Sequence, residues 1–377
     1  MRPLRELSLP ELRARTSLKW SAYGPDVLPL WVAEMDAPLA PAVTRVLQDV
    51  AASGDLGYPA TDSALEDAFR AFARGRWAWE PGAALPVADV MTGVVEALRL
   101  TRRDVVIVTP PVYPPFFDAV ALVGAQQVDV PLDREWQLDL DGLEQAFATH
   151  AGRAAVLLCN PHNPTSIAPG RPALVHLAEL ARRHDVRVVV DEIHAPLADP
   201  VGFVPYLSVP GSEDAFVVTS ASKAWNLAGV KAALLLAGED AVAAVRDLPP
   251  LVAHGVSHLG SQLQAAAWTE GIEWLDGVRA DLAENRRILT GLLAQHLPRA
   301  TVVVGHDSYL AWLDLSAYAL GGEAAEVLRE RAGVALGLGS PFRGDGGRGG
   351  PDFARLNYAT TPEILTEALE RIGAVLI

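Results

Sequence analysis

One lysine and one aspartate occupy positions where a sequence can place a covalent catalyst and its partner. Lys223 stands shortly after the apolar run 215–219, and Asp191 directly follows the run 186–190. A lysine becomes a covalent nucleophile when its surroundings lower its pKa, and forming a Schiff base with a carbonyl cofactor is a common use of that property. Lys223 and Asp191 are therefore the first candidates for catalysis.

Pyridoxal phosphate is the carbonyl cofactor whose needs these residue types meet. A buried carboxylate beside its pyridine nitrogen favours the protonated ring, a pKa shift of about 1 to 3 units. The protonated ring accepts electrons from a substrate carbanion. Asp191 fits the carboxylate's role, Asn163 is a candidate partner of the ring's phenolate oxygen, and Tyr113 is a candidate to stack on the ring face. We therefore predict that Lys223 holds pyridoxal phosphate as a Schiff base.

The phosphate group of this cofactor needs backbone amides and hydroxyl groups. We predict that residues 90–98 pass from a strand into a helix whose first amides, at Gly93 and Val94, are free to bind an anion. The residues predicted to complete the phosphate site are Ser220, Ser222 and Lys231.

The elements that must position these residues are short apolar strands that alternate with amphipathic stretches. This order is typical of a largely parallel α/β sheet, in which ligands bind beyond the carboxyl ends of the strands. Residues 172–185 have helical periodicity and are predicted to form a crossover helix. Polar residues follow four of the predicted strands, so we expect the four ends to converge on one site. The predicted strands are 105–108, 154–158, 186–190, 215–219 and 232–236.

The chain, at 377 residues, is longer than one hydrophobic core usually supports, so two domains are expected. After about residue 275 the pattern changes to a long charged helix, a strand-like run at 300–304 and a glycine-rich loop at 337–350. We predict a large cofactor-binding domain with a mostly parallel seven-stranded sheet and a smaller α/β domain. The predicted limits are 1–37 for an N-terminal segment that joins the small domain, 38–275 for the large domain and 276–377 for the small domain.

Composition argues against several classes of partner. The 46 acidic and 31 basic residues give a net charge of −15, which repels nucleic acid and anionic lipid. Apolar runs stop well short of the roughly 18 residues that a membrane span needs. The start of the chain lacks the pattern of a secretory signal, and the single cysteine, Cys159, excludes an internal disulfide. We predict a cytoplasmic protein with a small-molecule substrate and neither nucleic acid nor membrane as a partner.

Three rival motifs lack the context that their chemistry requires. The Ser-x-x-Lys pattern that ends at Lys223 lacks the accompanying Ser-Asp-Asn and Lys-Thr-Gly elements of penicillin-binding enzymes. The glycine pattern at 344–349 neither follows a strand nor opens a helix, as a dinucleotide fingerprint must. His254 and His258 could share a helix face, but no third metal ligand is evident. We predict no metal site.

Motifs over nearly the full length resemble the fold-type I aminotransferases and, within them, the MalY/PatB-type cystathionine β-lyases. Asn163, Asp191, Lys223 and Arg355 occur in the order typical of the superfamily. Three departures are Glu34, where the β-lyases usually have aspartate, Ser166, where glycine is usual, and Lys231, in place of an arginine with a two-pronged guanidinium. The matching stretches are 19–20, 30–36, 57–58, 110–116, 160–165, 191–194, 222–229 and 355–358.

The resemblance implies roles for further residues. Arg355 would hold the substrate's α-carboxylate, with Trp31 and Ala33 also on the substrate side. His194 would either support Asp191 or line the pocket. A tyrosine at the position of Tyr58 reaches the phosphate of the neighbouring subunit in this family. The resemblance therefore also implies a homodimer with shared active sites and a part for Tyr58 in catalysis.

The type of reaction depends on the branch of the family. The stretches 31–36 and 191–194 resemble the β-lyases, so we expect cleavage of cysteine S-conjugates to a thiol, pyruvate and ammonia. An aminotransferase is the closest alternative, because it needs the same lysine, aspartate and arginine. A binding or regulatory protein with this fold is the alternative from another class. It would be expected to lack the lysine or to carry a DNA-binding domain.

Overall fold

The computed structural model describes residues 1–59 and 64–376, and within these residues twelve strands form two sheets. The strands are β1 (Leu28–Leu30), β2 (Ala83–Val87), β3 (Val105–Val108), β4 (Gln126–Asp129), β5 (Ala154–Cys159), β6 (Arg187–Asp191), β7 (Phe216–Thr219), β8 (Ala233–Ala237), β9 (Thr301–Val303), β10 (Leu310–Asp314), β11 (Val334–Leu338) and β12 (Phe353–Asn357).

Helices surround both sheets. No helix in the described ranges is both long and apolar enough to span a membrane. The α-helices are α1 (Leu9–Arg13), α2 (Leu18–Ser21), α3 (Pro41–Ser53), α4 (Ala64–Trp77), α5 (Val90–Thr101), α6 (Pro115–Leu122), α7 (Leu140–Thr149), α8 (Arg171–Arg183), α9 (Val242–Arg246), α10 (Pro250–His254), α11 (His258–Glu270), α12 (Ile272–His296), α13 (Ala324–Ala332) and α14 (Pro362–Val375).

The larger sheet has seven strands in the order β2-β8-β7-β6-β5-β3-β4. Only β8 runs antiparallel to its neighbours, β2 and β7. Strands β3, β5 and β7 are buried along their whole length, as expected where helices cover both faces of a parallel sheet. The predicted α/β class with a mostly parallel seven-stranded sheet is confirmed.

The two strands of this sheet that the sequence did not reveal are its edges. Strand β2 contains Pro86, which a central strand does not tolerate, and β4 begins with two glutamines rather than with β-branched residues. The other five strands were predicted, with limits shifted by at most one residue. Apolar composition identifies central strands well, because only these are buried on both faces.

The smaller sheet has the order β1-β11-β12-β10-β9 and takes its first strand from the N-terminal segment. Strand β1 pairs in parallel with β11. The predicted strand at 300–304 is β9, but β10 and β12 were not predicted, and the predicted loop at 337–350 begins inside β11. The proposed domain limits at 37/38 and 275/276 stay predictions.

The parallel strands bring the predicted polar residues to one edge of the larger sheet. Strands β5 and β6 pair with Cys159 opposite Asp191, so the segment after β5 lies beside the end of β6. Strand β7 pairs in parallel with β6 and leads into Ser220. This edge faces the smaller sheet and carries the candidate site.

Candidate active site

A cavity lies at the carboxyl ends of β5, β6 and β7. Its walls come from the segment after β1, the start of α5, the loops after β3, β5, β6 and β7, and β12. The lining residues are Val32, Ala33, Asp89, Val90, Met91, Tyr113, Cys159, Pro161, Asn163, Asp191, Ile193, His194, Ser222, Lys223, Ala228, Val230, Lys231, Ala232 and Arg355. Nine of the predicted site residues are among them: Ala33, Tyr113, Asn163, Asp191, His194, Ser222, Lys223, Lys231 and Arg355.

Lys223 presents a partly buried amine to this cavity. Its Nζ donates a hydrogen bond to the Ala33 carbonyl oxygen at 3.1 Å. Burial, followed by the positive charge of Arg355, lowers the pKa of Lys223 to about 8. A substantial fraction of the amine is therefore neutral near physiological pH, as a nucleophile or general base requires.

Asp191 is the last residue of β6 and is buried at the floor of the cavity. Its Oδ1 accepts a hydrogen bond from the Ile193 amide at 2.9 Å, and no other described residue donates to its carboxylate. Burial raises the pKa of Asp191 to about 7. A buried carboxylate with so few donors is suited to a cationic partner, such as a protonated ring nitrogen.

Arg355 lies in β12, on the wall formed by the smaller sheet. One terminal nitrogen donates to Asn163 Oδ1 at 3.1 Å, and the other donates to the Trp31 carbonyl oxygen at 3.0 Å. Its buried Nε has no partner among the described residues. Burial is the main cause that lowers the pKa of Arg355. The arginine is thus held in place at one side and retains a donor for an anion.

The backbone segment 31–35 is anchored through every one of its carbonyl groups. The donors come from Arg355 to residue 31, from Asn357 to residues 32 and 34, from Lys223 and Tyr309 to residue 33, from Lys19 to residue 34, and from Asn226 and Arg15 to residue 35. Both candidate catalytic cations therefore contact the same short segment.

The start of α5 corrects the predicted phosphate site. The helix begins at Val90 and is capped by Asp89, whose Oδ1 accepts from the Thr92 amide at 2.8 Å. The Gly93 amide donates to the Asp89 carbonyl oxygen at 2.9 Å, so it is not free, and Val94 lies still further into the helix. The predicted helix start was wrong by three residues. Val90 and Met91 line the cavity instead, and their amides have no acceptor among the described residues.

Ser220 is buried, with its hydroxyl 2.9 Å from the Ser222 hydroxyl, and its predicted part in binding the phosphate stays a prediction. Its hydroxyl donates to the Ala232 carbonyl oxygen at 2.8 Å and lies 3.1 Å from Gln264 Oε1. Ser220 does not line the cavity, whereas Ser222 and Lys231 do. Lys231 Nζ lies 3.2 Å from Asp89 Oδ2, beside the start of α5.

Of the three residues Trp31, His194 and Tyr58, which were predicted from the resemblance, only His194 lines the cavity. The Trp31 indole packs edge-to-face on Tyr23 and does not line the cavity, while the Trp31 carbonyl accepts a hydrogen bond from Arg355. His194 lines the cavity and pairs with Ser308, whose Oγ lies 2.7 Å from Nδ1. Tyr58 does not line the cavity of its own subunit and is 96% exposed.

Sequence reasoning missed Tyr309, which lies just before β10. Its buried hydroxyl donates to the Ala33 carbonyl oxygen at 3.2 Å, the same oxygen that accepts from Lys223. Its ring meets that of His194 edge-to-face at 5.6 Å. The signal was a Ser-Tyr pair at the start of an apolar strand, and it was missed because β10 itself was not predicted.

Comparison with known proteins assigns the family. The sequence profile described as "Aminotransferase class I and II" matches residues 25–372. The chain belongs to this family. A cystathionine beta-lyase of Corynebacterium glutamicum is 34% identical over 98% of this chain and 99% of its own. Cystathionine beta-lyase PatB of Bacillus subtilis is 31% identical over 96% of both chains.

A solved structure supports the fold assignment for this class I and II member. Cystalysin from Treponema denticola, whose structure contains a pyridoxal 5'-phosphate cofactor, superimposes with a TM-score of 0.89. The match covers 100% of this chain and 99% of cystalysin at 24% identity. The fold is therefore that of the fold-type I enzymes, as predicted.

Pyridoxal phosphate is the cofactor of this chain, and the donor set of the cavity fits it. Asp191 offers a carboxylate that accepts only one hydrogen bond from the described residues, and Lys223 offers a partly buried amine of lowered pKa. The unpaired amides of Val90 and Met91 point to the end where an anionic group would bind. These groups would hold the ring nitrogen, the carbonyl carbon and the phosphate of the cofactor, respectively.

Proposed function

We propose that the protein is a pyridoxal-phosphate-dependent carbon–sulfur β-lyase. It cleaves cysteine S-conjugates such as L-cystathionine and, with one water, yields a thiol, pyruvate and ammonia. The observation that carries this proposal is the similarity over nearly the whole chain to proteins named cystathionine beta-lyase. The alternative within the family, transamination, requires the same lysine, aspartate and arginine.

The residues that line the cavity support a lyase rather than a transaminase that acts on dicarboxylates. Among the described residues that line the cavity, Arg355 is the only arginine. One guanidinium suits the single α-carboxylate that all amino acids share. A substrate with an anionic side chain, such as the dicarboxylates that are common among transaminases, would need a second cation near that side chain. The far end of L-cystathionine is net neutral, because an ammonium group accompanies its second carboxylate. Lys231 is not placed for that task, because it lies beside Asp89 at the phosphate end.

Arg355 binds and orients the substrate. Its guanidinium is already directed by Asn163 and by the Trp31 carbonyl, so little side-chain freedom is lost when a carboxylate binds. Burial excludes water from this contact, which strengthens a charge-assisted hydrogen bond. A carboxylate held at Arg355 would keep the substrate's Cα within the cavity that Lys223 also lines.

Lys223 is the proton-transfer group. When bound, pyridoxal phosphate supplies an aromatic ring that accepts the electron pair left at Cα, and Asp191 supports that role with a negative charge at the ring nitrogen. The neutral amine of Lys223 takes the Cα proton. The Ala33 carbonyl accepts a hydrogen bond from this amine and holds it in place. The Cβ–S bond then breaks, and the sulfur leaves with its electron pair as a thiolate.

Product analysis tests the reaction type. The purified protein is loaded with pyridoxal phosphate and given L-cystathionine without any 2-oxo acid. We expect release of thiol and pyruvate in equal amounts over many turnovers, and the Lys223→Ala variant serves as the inactive control. Strict dependence on an added 2-oxo acid, with no thiol released, would assign the protein to the transaminases instead.

A homodimer with shared active sites is part of the proposal. Tyr58, at the end of the described range 1–59, is exposed in the single chain, as a residue that acts in a neighbouring subunit would be. Mixing inactive Lys223→Ala subunits with inactive Tyr58→Phe subunits should restore activity, because one site of each hybrid is intact. Hybrids that form and stay inactive would argue against a shared site. The cytoplasmic location stays a prediction.

A further inference from the structure

A second cavity lies behind the active site. It is bounded on one side by the short 3-10 helix Ala195–Leu197, which follows β6, and on the other by helix α12. Its volume is about 230 Å³, room for several water molecules, and it opens to solvent on the side of Asp199 and His306, whose side chains are more than half exposed. Ser308 lines this cavity and contacts His194, which lines the active-site cavity. The acidic and basic residues of the lining are Asp199, Arg279, Arg286 and His306.

Basic side chains converge on this cavity from two elements. Arg279 and Arg286 are seven residues apart on α12 and so lie on the same face of the helix, two turns apart. His306 reaches the cavity from the loop between β9 and β10. This is an unusual concentration of basic groups for a chain whose net charge is −15.

The two arginines differ in how their charge is balanced. Arg279 lies 3.4 Å from Asp276 and 3.8 Å from Asp199, and it also donates to the Leu197 carbonyl oxygen. Arg286 is half-buried, and no acceptor lies within hydrogen-bonding distance of its guanidinium among the described residues. A half-buried guanidinium keeps its charge and its five donors, so it is ready to accept an anion.

The other acidic group near the cavity is already engaged. Asp307 is buried, and its Oδ2 accepts from the Ala168 amide at 2.9 Å. Its Oδ1 lies 3.6 Å from His306 Nε2. Neither contact involves Arg286. From the unpaired Arg286, from Arg279 two turns earlier on the same helix and from the half-open cavity that both line, we infer that this cavity binds a small oxyanion, either a carboxylate or a phosphate.

This inference does not depend on the reaction that the protein catalyses. The test uses the cofactor-loaded protein, so that the cofactor's own phosphate site is filled. Isothermal titration calorimetry follows the binding of sodium phosphate and, separately, of sodium pyruvate at constant ionic strength, with sodium chloride as the reference. We expect saturable binding of one phosphate per chain to the native protein. Pyruvate can also occupy the carboxylate site at Arg355, so only the part of its binding that Arg286→Gln removes is assigned to this second cavity. The tighter of the two probes identifies the class, phosphate or carboxylate.

Arg286→Gln should weaken that binding by about 10-fold or more, because a charge-assisted contact is lost. The matched control is Arg287→Gln, which removes the same charge from the next residue, an exposed arginine that does not line the cavity. Its affinity for the anion should stay within about 2-fold of the native value, since exposed charges interact weakly. Arg286→Lys keeps the charge and should bind with intermediate affinity.

Several results would overturn the inference. Binding no tighter than that of chloride, equal affinity in the native and Arg286→Gln proteins, or equal losses in Arg286→Gln and Arg287→Gln would each do so. A circular dichroism spectrum and a melting temperature close to native separate loss of the site from loss of the fold. If Arg286→Gln fails to fold, the comparison is made between Arg286→Lys and Arg287→Gln. Weaker anion binding in Arg286→Lys than in Arg287→Gln would support the inference, and equal binding in the two would overturn it.

Discussion

The two ends of the active-site cavity are built on different principles. At the ring end, Asp191 and Arg355 are buried and Lys223 is partly buried, and loss of contact with water is the largest cause of the altered pKa of each. At the other end, where we propose that the phosphate binds, Lys231 is 62% exposed and pairs with Asp89, and the unpaired donors are the backbone amides of Val90 and Met91. The reactive groups at the ring end are side chains whose pKa is altered by loss of contact with water. The groups available at the other end are backbone amides at the start of α5.

This difference predicts where substitutions are tolerated. When a buried side chain is removed, water cannot reach its former partner to form the lost hydrogen bond. The partner is left unpaired, which costs free energy. An exposed ion pair contributes about 0 to 1 kcal/mol, because water can take over from either partner. Substitutions at the ring end should therefore affect function far more than substitutions at the phosphate end.

Lys223→Ala should have the largest effect. Loss of both the covalent anchor and the proton-transfer group should lower kcat by at least about 10³-fold. Borohydride reduction of the loaded protein, followed by peptide mass spectrometry, should locate the cofactor on Lys223 in the native protein and on no peptide of the variant. Lys231→Ala is the matched control and should still carry the cofactor on Lys223. A cofactor found on Lys231 would show that Lys231, and not Lys223, is the covalent anchor.

Asp191→Asn comes next. The negative charge of Asp191 is expected to raise the pKa of the cofactor's ring nitrogen by about 1 to 3 units. Without that charge the ring is protonated less, so kcat should fall by about 10- to 1,000-fold. The measurement is steady-state kinetics at saturating cofactor. A decrease of less than about 3-fold would show that the ring end does not need the carboxylate's charge.

The same variant should change how stability depends on pH in the cofactor-free protein. The pKa of Asp191 rises from an ordinary value near 3.8 to about 7 on folding, so its carboxyl binds its proton more tightly in the folded state. Its contribution to stability is therefore complete at low pH and is lost as pH rises through about 7. Between pH 5.5 and 8, urea unfolding of the native protein should lose on the order of 2 kcal/mol more than that of Asp191→Asn. Parallel losses in both proteins would contradict the raised pKa.

Tyr309→Phe should have a smaller effect, because Tyr309 acts only through the Ala33 carbonyl that it shares with Lys223. Loss of one neutral hydrogen bond should lower kcat by about 2- to 10-fold with little change in KM. The pH at which Lys223 is half-labelled by an amine reagent in the cofactor-free protein should also move from near 8. Tyr206→Phe is the control, since this buried hydroxyl has no hydrogen-bond partner in the described residues. Equal kinetics and labelling in both variants would leave Tyr309 a packing residue.

The ring end could be predicted from the sequence, because its residues are side chains that directly follow apolar central strands. The phosphate end could not, because free amides depend on the residue at which α5 begins, and Asp89 capping sets that start. Ser166 shows a further limit. It has a φ of 57°, a region that favours glycine, and its hydroxyl accepts from the Leu310 amide at 3.0 Å. That contact depends on a strand that the sequence pattern did not reveal.

Lys231→Gln should have the smallest effect of all. The lysine side chain is 62% exposed, and Asp89 remains bound to the Thr92 amide when the lysine is removed. The dissociation constant of the cofactor should therefore rise by no more than about 5-fold, corresponding to the about 1 kcal/mol upper range of an exposed ion pair. Fluorescence titration of the cofactor-free protein with pyridoxal phosphate measures this constant.

A double-mutant cycle separates direct binding of the phosphate by Lys231 from its effect through Asp89. Asp89→Asn removes the ion pair but retains the helix cap, because asparagine caps helices about as well as aspartate. If Lys231 acts mainly through Asp89, then Lys231→Gln should weaken cofactor binding less in the Asp89→Asn background than in the native one. An increase of about 100-fold or more in the dissociation constant for Lys231→Gln alone would show that this exposed lysine binds the phosphate as strongly as a buried group. The contrast between the two ends of the cavity would then be wrong.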